Sequence, residues 1–237
     1  SSGSLSVFDK DPWDFQDELK QRVGYLADND NYPATLKIGD VIKYKRVLYK
    51  KWDRRLESDM LQKFALQLDS KIAILSKGQK RQFSLLCTLC YHPQLLILDE
   101  PAAGLDPVIR HEFLQVILER LGDEGITVIF SSHQFADVER LAQRVGILHQ
   151  GRLIADAALN DYHNNYCKII AKVTDSAQRQ LKAEAAFVSM KDNCGLQQLC
   201  LKMPISAAPD WVKQFEALEL MDCQPLALEE LFIELTS

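Results

Sequence analysis

An α/β fold built on a mostly parallel sheet is what this sequence predicts, on three observations. From Ser76 onward, helix-like and strand-like segments alternate one for one, which is the rhythm of parallel α/β architecture. Two of the strand-like segments, "LLIL" at Leu95–Leu98 and "ITVIF" at 126–130, are continuous apolar runs, as strands covered on both faces are. Neither carries the in–out alternation of a hairpin wetted on one side.

Taken in order, residues 5–7 read as a short strand, and Asp11-Pro12 reads as the start of a helix running to about Lys20, with Asp as N-cap and Pro at the first helical position. Val23–Leu26 reads as a second strand. The polar turn "ADNDNYP" leads into a largely helical stretch, about 40–68, that is rich in lysine and arginine. Helices over 77–92, 107–121 and 135–142 then alternate with strands at Leu95–Leu98, 127–131 and 145–149.

Around "LNDYHNNY", 159–166, the composition turns polar, and the expected boundary falls there: a first domain over 1–158, with a helical subdomain at about 40–92, and a second over 166–237. Candidate strands at 168–173, 187–190, Leu196–Leu201 and 219–222, with helices at 176–184 and 210–216, predict a small α+β domain with an antiparallel sheet. Leu228, Leu231, Phe232 and Leu235 form the i, i+3, i+4, i+7 stripe of a docked final helix.

The chain has 237 residues, 47% apolar and 26% charged, enough for one sizeable core and a smaller one. No apolar stretch approaches the ~18 residues of a membrane span. The formal charge of -5 argues against general nucleic-acid affinity, and no nucleic-acid partner is expected. The opening "SSGSLSVFDKDPWDF" has neither the basic start nor the apolar core of a secretion signal. Six cysteines without dense, regular spacing read as reduced buried thiols. Cys87 and Cys90 form a CxxC, but inside a helical pattern with no second CxxC or His pair nearby.

Chemistry enters at "LLILDEPAAGLDP", where Asp99 and Glu100 stand side by side at the end of an apolar strand. Ligands of parallel α/β sheets gather at the carboxyl ends of strands, where helix N-termini also point. Adjacent carboxylates need a cation or donors to offset them, so either a divalent metal with its phosphate ligand or a pair of surface acids capping a strand would account for them. Upstream, "LSKGQKRQ" offers a capping box, Ser76 with Gln79, and a Gly78 that leaves room for close backbone approach. Read as structure alone, it is a well-capped helix. Asp106 before Pro107 reads as another N-cap.

Together, "LSKGQ", a buried strand ending in "DEP", the "AGLDP" loop and a histidine after the next strand ("FSSHQ", His133) resemble the signature, Walker B, D-loop and switch histidine of ATP-binding cassette (ABC) ATPases. The resemblance covers most of residues 1–158, and it implies a P-loop NTPase-like sheet with ATP and Mg²⁺ as cofactors. It implies that Asp99 holds Mg²⁺, that Glu100 orients the attacking water, and that His133 donates to the γ-phosphate. Ser76, Lys77, Gly78 and Gln79 would meet ATP held by a second cassette, head to tail, and Asp106 would lie in the loop that crosses between the two. Lys77 stands where the commoner signature has a glycine. Asp28 stands where relatives carry a glutamine or glutamate, which makes it a second candidate metal contact.

A G-x-x-x-x-G-K-[ST] phosphate cradle is not found: no glycine of the chain is followed by lysine. The segment "SSGSLSVFDKDP" is similar to the stretch after the P-loop helix in relatives, so the expectation is a cassette whose N-terminal part is missing and which, as given, does not hydrolyse ATP.

In the family the helical region touches a membrane permease. Here it carries Lys43, Lys45, Arg46, Lys50, Lys51, Arg54 and Arg55, which read first as a solvated face. The tail "PLALEELFIELT" resembles cassettes that serve separate exporter permeases. The resemblance therefore implies a cytoplasmic ATPase subunit on the inner face of the cell membrane, paired with a second cassette. The alternatives are a nucleotide-gated ABC protein outside transport and a non-catalytic remnant without the loop.

Overall fold

The computed structural model describes residues 3–28, 32–193, 196–215 and 218–236. The chain divides into two compact units, 1–133 and 134–237.

The first unit runs α1 (Gln16–Arg22), β1 (Val23–Leu26), α2 (Ile38–Leu48), α3 (Arg54–Lys63), α4 (Lys77–Leu89), β2 (Leu95–Leu98), α5 (Pro107–Glu124) and β3 (Thr127–Phe130). Its three strands form a parallel sheet in the order β1-β2-β3, as the apolar runs predict. Leu26 is level with Leu98, and Leu98 with Phe130, so all three chains leave the sheet at one edge. The core is a layer of Leu26, Leu96 and Leu98 from the sheet, Leu85, Leu86 and Leu89 from α4, and Phe113 and Ile117 from α5, all almost completely buried. Burial on both faces is strongest for the central strand β2. β3 instead leaves Thr127 and Ile129 exposed.

The opening of the chain differs from expectation. Residues 5–7 form no strand, only an isolated bridge between Val7 and Lys10. The first helix begins at Gln16, not after Asp11. Asp11 instead uses its carboxylate to accept from Trp13 N–H at 2.8 Å, the local turn that competes with a cap at this residue type.

The basic stretch folds as two helices, α2 and α3, broken at 49–53. Not all of its cations are solvated. Arg46 donates to both carboxylate oxygens of buried Glu57, with Nε to Oε2 at 2.8 Å, and Trp52 Nε1 donates to the same carboxylate at 2.7 Å. Asp53 caps α3, accepting from Arg55 N–H at 2.8 Å and Leu56 N–H at 3.0 Å, and lies 3.0 Å from His92 Nε2.

The Leu56 amide, followed by His92 and the Arg55 amide, holds the Asp53 carboxyl below its ordinary value, against the opposing effect of partial desolvation. A depressed folded value means that this stabilisation is complete above the unfolded carboxyl pKa, about 3.9, and is lost as pH falls through the folded value. Asp53→Ala is therefore expected to cost about 1 kcal/mol at pH 7. Its difference from the parent should shrink at pH 3, as urea midpoints at the two pH values would show.

The second unit runs α6 (Phe135–Leu141), β4 (Arg144–His149), β5 (Arg152–Ala158), α7 (Leu159–Asn165), β6 (Cys167–Val173), α8 (Asp175–Leu181), β7 (Phe187–Asn193), β8 (Leu196–Leu201), α9 (Ala208–Val212), β9 (Leu218–Pro225) and α10 (Leu228–Thr236). β4 and β5 make an antiparallel hairpin, and β7-β8-β6-β9 make the expected antiparallel sheet. The boundary expected at 159–166 coincides with α7, whose Leu159 and Tyr162 are buried. They share a core with Val145 and Ile147 of β4 and with Leu228 and Leu231 of α10. The hairpin thus belongs with the C-terminal half, and the division lies between His133 and Gln134.

The five cysteines among the described residues are free thiols. Cys87 on α4 and Cys90 at its C-cap are wholly buried, and burial drives the Cys90 thiol far above its ordinary pKa.

Candidate site at the carboxyl edge of the parallel sheet

The register of the sheet brings 27–28, 99–100 and 131–133 to one edge. Asp99 N–H still pairs with Leu26 carbonyl at 2.9 Å, and Ser131 N–H with Leu98 carbonyl at 3.0 Å, so the edge is fixed by the ladder itself. One step beyond, Glu100 takes a left-handed backbone, φ 44°. For a residue with a side chain that conformation costs on the order of 1–3 kcal/mol and needs support from its surroundings.

Ser131 supplies part of that support. Its hydroxyl accepts from Glu100 N–H at 2.9 Å and donates to Asp99 Oδ1 at 2.7 Å, setting both acids with one oxygen. Glu100 Oε2 lies 2.8 Å from His133 Nδ1. The Glu100 side chain is 28% exposed and that of His133 65%, so the pair sits at a surface open to a ligand.

The "LSKGQ" turn is at the surface and capped as expected. Ser76 Oγ accepts from Gln79 N–H at 3.1 Å, and Gln79 Oε1 accepts from Ser76 N–H at 3.0 Å. Ser76 and Lys77 are exposed, whereas Gly78 is buried. A Cβ on Gly78 would lie 2.7 Å from Ile109 Cδ1, so glycine is what lets α4 start flush against α5. Lys77 lies across the "AGLDP" loop, its Nζ 2.7 Å from where a Cβ on Gly104 would stand. Gly104 has φ 68°, which no larger residue adopts freely. Asp106 caps α5 as expected, accepting from Val108 and Ile109 N–H at 3.1 Å each. The turn and the loop that precedes α5 are thereby packed together.

Asp28 is exposed and directly follows Ala27, at the same edge as Asp99. Among the described residues no group of three or more His, Cys, Asp or Glu side chains is placed to hold a metal ion. A Mg²⁺ ion bound with a phosphate ligand takes only one or two carboxylates from a protein and its other oxygens from phosphate and water. Asp99, already oriented by Ser131, fits such a role.

Two residues of the edge were not singled out from the sequence. Ser131 lies inside the quoted "FSSHQ", and its two partners depend on register. Arg81, one turn into α4, is 5% exposed and donates to the carbonyls of Ala27, Asp99, Glu100 and Pro101. Neither position has a local pattern that announces such contacts.

Residues 3–136, more than half of the chain, match the family described as "AAA domain, putative AbiEii toxin, Type IV TA system". The linearmycin resistance ATP-binding protein LnrL of Bacillus subtilis is 41% identical over 140 residues, 58% of this chain and 45% of that protein. The Nod factor export ATP-binding protein I of Rhizobium sp. is 31% identical over 174 residues, 71% of this chain and 55% of that protein. The chain thus spans about half the length of these curated relatives. Among solved structures, an ATP-binding subunit of an ABC transporter superposes with a TM-score of 0.61 at 25% identity, over 68% of this chain and 69% of that one.

Fold and edge together define a P-loop NTPase-like α/β domain. The chain belongs to the AAA-domain family, and the relatives and the solved structure it resembles are ABC transporter ATP-binding proteins. No helix among the described residues is long and apolar enough to cross a membrane.

Proposed function

We propose that these residues form the water-activating and partner-sensing part of an ATP-hydrolysing cassette that drives export through a separate membrane permease. The observation that carries this reading is the Glu100–His133 pair beside Asp99 and Ser131 at the carboxyl edge of the parallel sheet. The names of relatives concerned with resistance and export support the exporter class. Turnover also requires a phosphate cradle, so the working unit is a cassette in which a G-x-x-x-x-G-K-[ST] loop is joined to these residues.

In that unit Asp99 is the metal-holding carboxylate, with Asp28 as a second oxygen donor at the same edge. Mg²⁺ bound with ATP would supply charge neutralisation of the phosphates. Glu100 accepts a hydrogen bond from the attacking water and aligns it. His133, held beside Glu100, donates to the terminal phosphate. Ser76, Lys77, Gly78 and Gln79 present a capped helix start, and Asp106 an adjoining loop, to a second cassette arranged head to tail. The cassette works at the cytoplasmic face of the membrane, where its permease partner resides, and no nucleic acid takes part.

The test is His133→Ala in the loop-bearing cassette. Steady-state ATP turnover is expected to fall about 10²-fold, the usual effect of removing one positioned donor to a developing charge, while ATP still binds. Unchanged turnover would remove His133, and with it the proposed site, from the reaction.

A further inference from the structure

We infer that Arg81 is a positioning residue for Glu100: it fixes the backbone from which that carboxylate is aimed, and it joins this backbone to the helix that starts at Ser76. The inference rests on the hydrolytic reading above and adds a residue to it.

Arg81 lies one turn into α4 and is almost fully buried at 5% exposure. Its guanidinium donates from Nη2 to the Asp99 and Glu100 carbonyls, both at 2.9 Å, from Nε to the Pro101 carbonyl at 3.0 Å, and from Nη1 to the Ala27 carbonyl. Three successive carbonyls of one turn thus converge on one planar fork. The middle one belongs to the residue held at φ 44°.

A turn with this conformation brings carbonyl dipoles together, and a cation with fixed, coplanar donors is the group that offsets them. Arg81 and Ser131 act on opposite sides of the same peptide segment: the arginine takes the Glu100 carbonyl, and the serine hydroxyl takes the Glu100 N–H. With both backbone groups of Glu100 held, its side chain leaves in one direction, toward His133.

The fork cannot be replaced by an ammonium. Lysine offers a point charge on a flexible stem and cannot bond three divergent carbonyls in one plane. The four bonds named above all run to backbone carbonyls of the edge, not toward its open side where Glu100 and His133 lie. Loss of Arg81 should therefore act on the chemical step rather than on ATP affinity, through a displaced Glu100.

The experiment compares Arg81→Lys and Arg81→Ala with Glu100→Gln and with the double variant Arg81→Lys/Glu100→Gln, in the loop-bearing cassette. Turnover is expressed per folded molecule, as judged by circular dichroism. For Arg81→Lys the expected result is a fall in kcat of about 10²-fold, the scale of a misplaced catalytic group, with KM for ATP unchanged. Adding Arg81→Lys to Glu100→Gln should produce no further loss, because the arginine works through the glutamate.

A folded Arg81→Lys protein with parental kcat overturns the inference, as does an additive loss in the double variant. Failure of both Arg81 variants to fold also overturns it, since the residue would then be a core contact alone. If Glu100→Gln itself leaves turnover intact, the hydrolytic reading falls first, so the two failures are told apart.

Discussion

Replacing Glu100 by glutamine is expected to slow ATP turnover by the loop-bearing cassette about 10²–10³-fold while leaving nucleotide binding in place. The substitution keeps the volume and one acceptor oxygen, so the contact with His133 Nδ1–H survives on one side. The loss is that of the negative charge that polarises and aligns a water. Binding draws on other groups, chiefly the phosphate cradle and Asp99, which Ser131 holds independently at 2.7 Å. The expected signature is therefore a loss in kcat with little change in KM. Measuring single-turnover hydrolysis alongside ATP affinity separates the two, and a variant that hydrolyses at the parental rate would exclude Glu100 as the group that aligns water.

The second large effect concerns stability. Glu57 is 4% exposed, and its carboxylate accepts from Arg46 through two nitrogens and from Trp52 Nε1. Breaking a buried ion pair by removing one partner commonly costs about 3–5 kcal/mol, because the other charge is left uncompensated. The Arg46 side chain is 31% exposed, so water relieves part of that penalty. Glu57→Ala is therefore expected to cost about 2–3 kcal/mol. Glu57→Gln, which keeps an acceptor for Trp52, should cost less. Trp52 belongs to the network and reports on it directly, so its fluorescence during urea unfolding gives the midpoint of the first unit. A shift of under about 0.5 kcal/mol for Glu57→Ala, no more than an ordinary surface substitution produces, would show that the network contributes nothing.

Much of the first unit is legible in the sequence because its strands are short, continuously apolar and separated by helices with explicit start signals. Asp106-Pro107 and Ser76 with Gln79 cap the helices they announce. The positions of Asp99, Glu100 and His133 follow from strand ends, and their convergence follows from parallel register. Less legible are features that depend on competition between local alternatives. Asp11-Pro12 carries the pattern of a helix start, yet the Asp11 carboxylate closes a turn on Trp13. "LNDYHNN" looks like a linker by composition, yet only Leu159 and Tyr162 need to be buried for one side of a short helix to pack.

Side chains that bond to distant backbone are the least legible. Arg81 meets carbonyls 18 to 54 residues away, and nothing in "KGQKRQ" distinguishes it from Lys80 beside it in sequence. Arg46 likewise belongs to a run of cations that composition assigns to solvent, and its partner Glu57 lies on the next helix. In both cases the partner is selected by tertiary packing, which spacing does not encode.

The parallel sheet has a further consequence. Its two borders are β1 and β3, neither of which is paired on its outer side among the described strands. Tyr25 and Ile129 on them are 58% and 57% exposed. Free backbone donors beside apolar side chains make an adhesive rim that can template the addition of another extended peptide. These two margins are where the addition of a further strand is expected first.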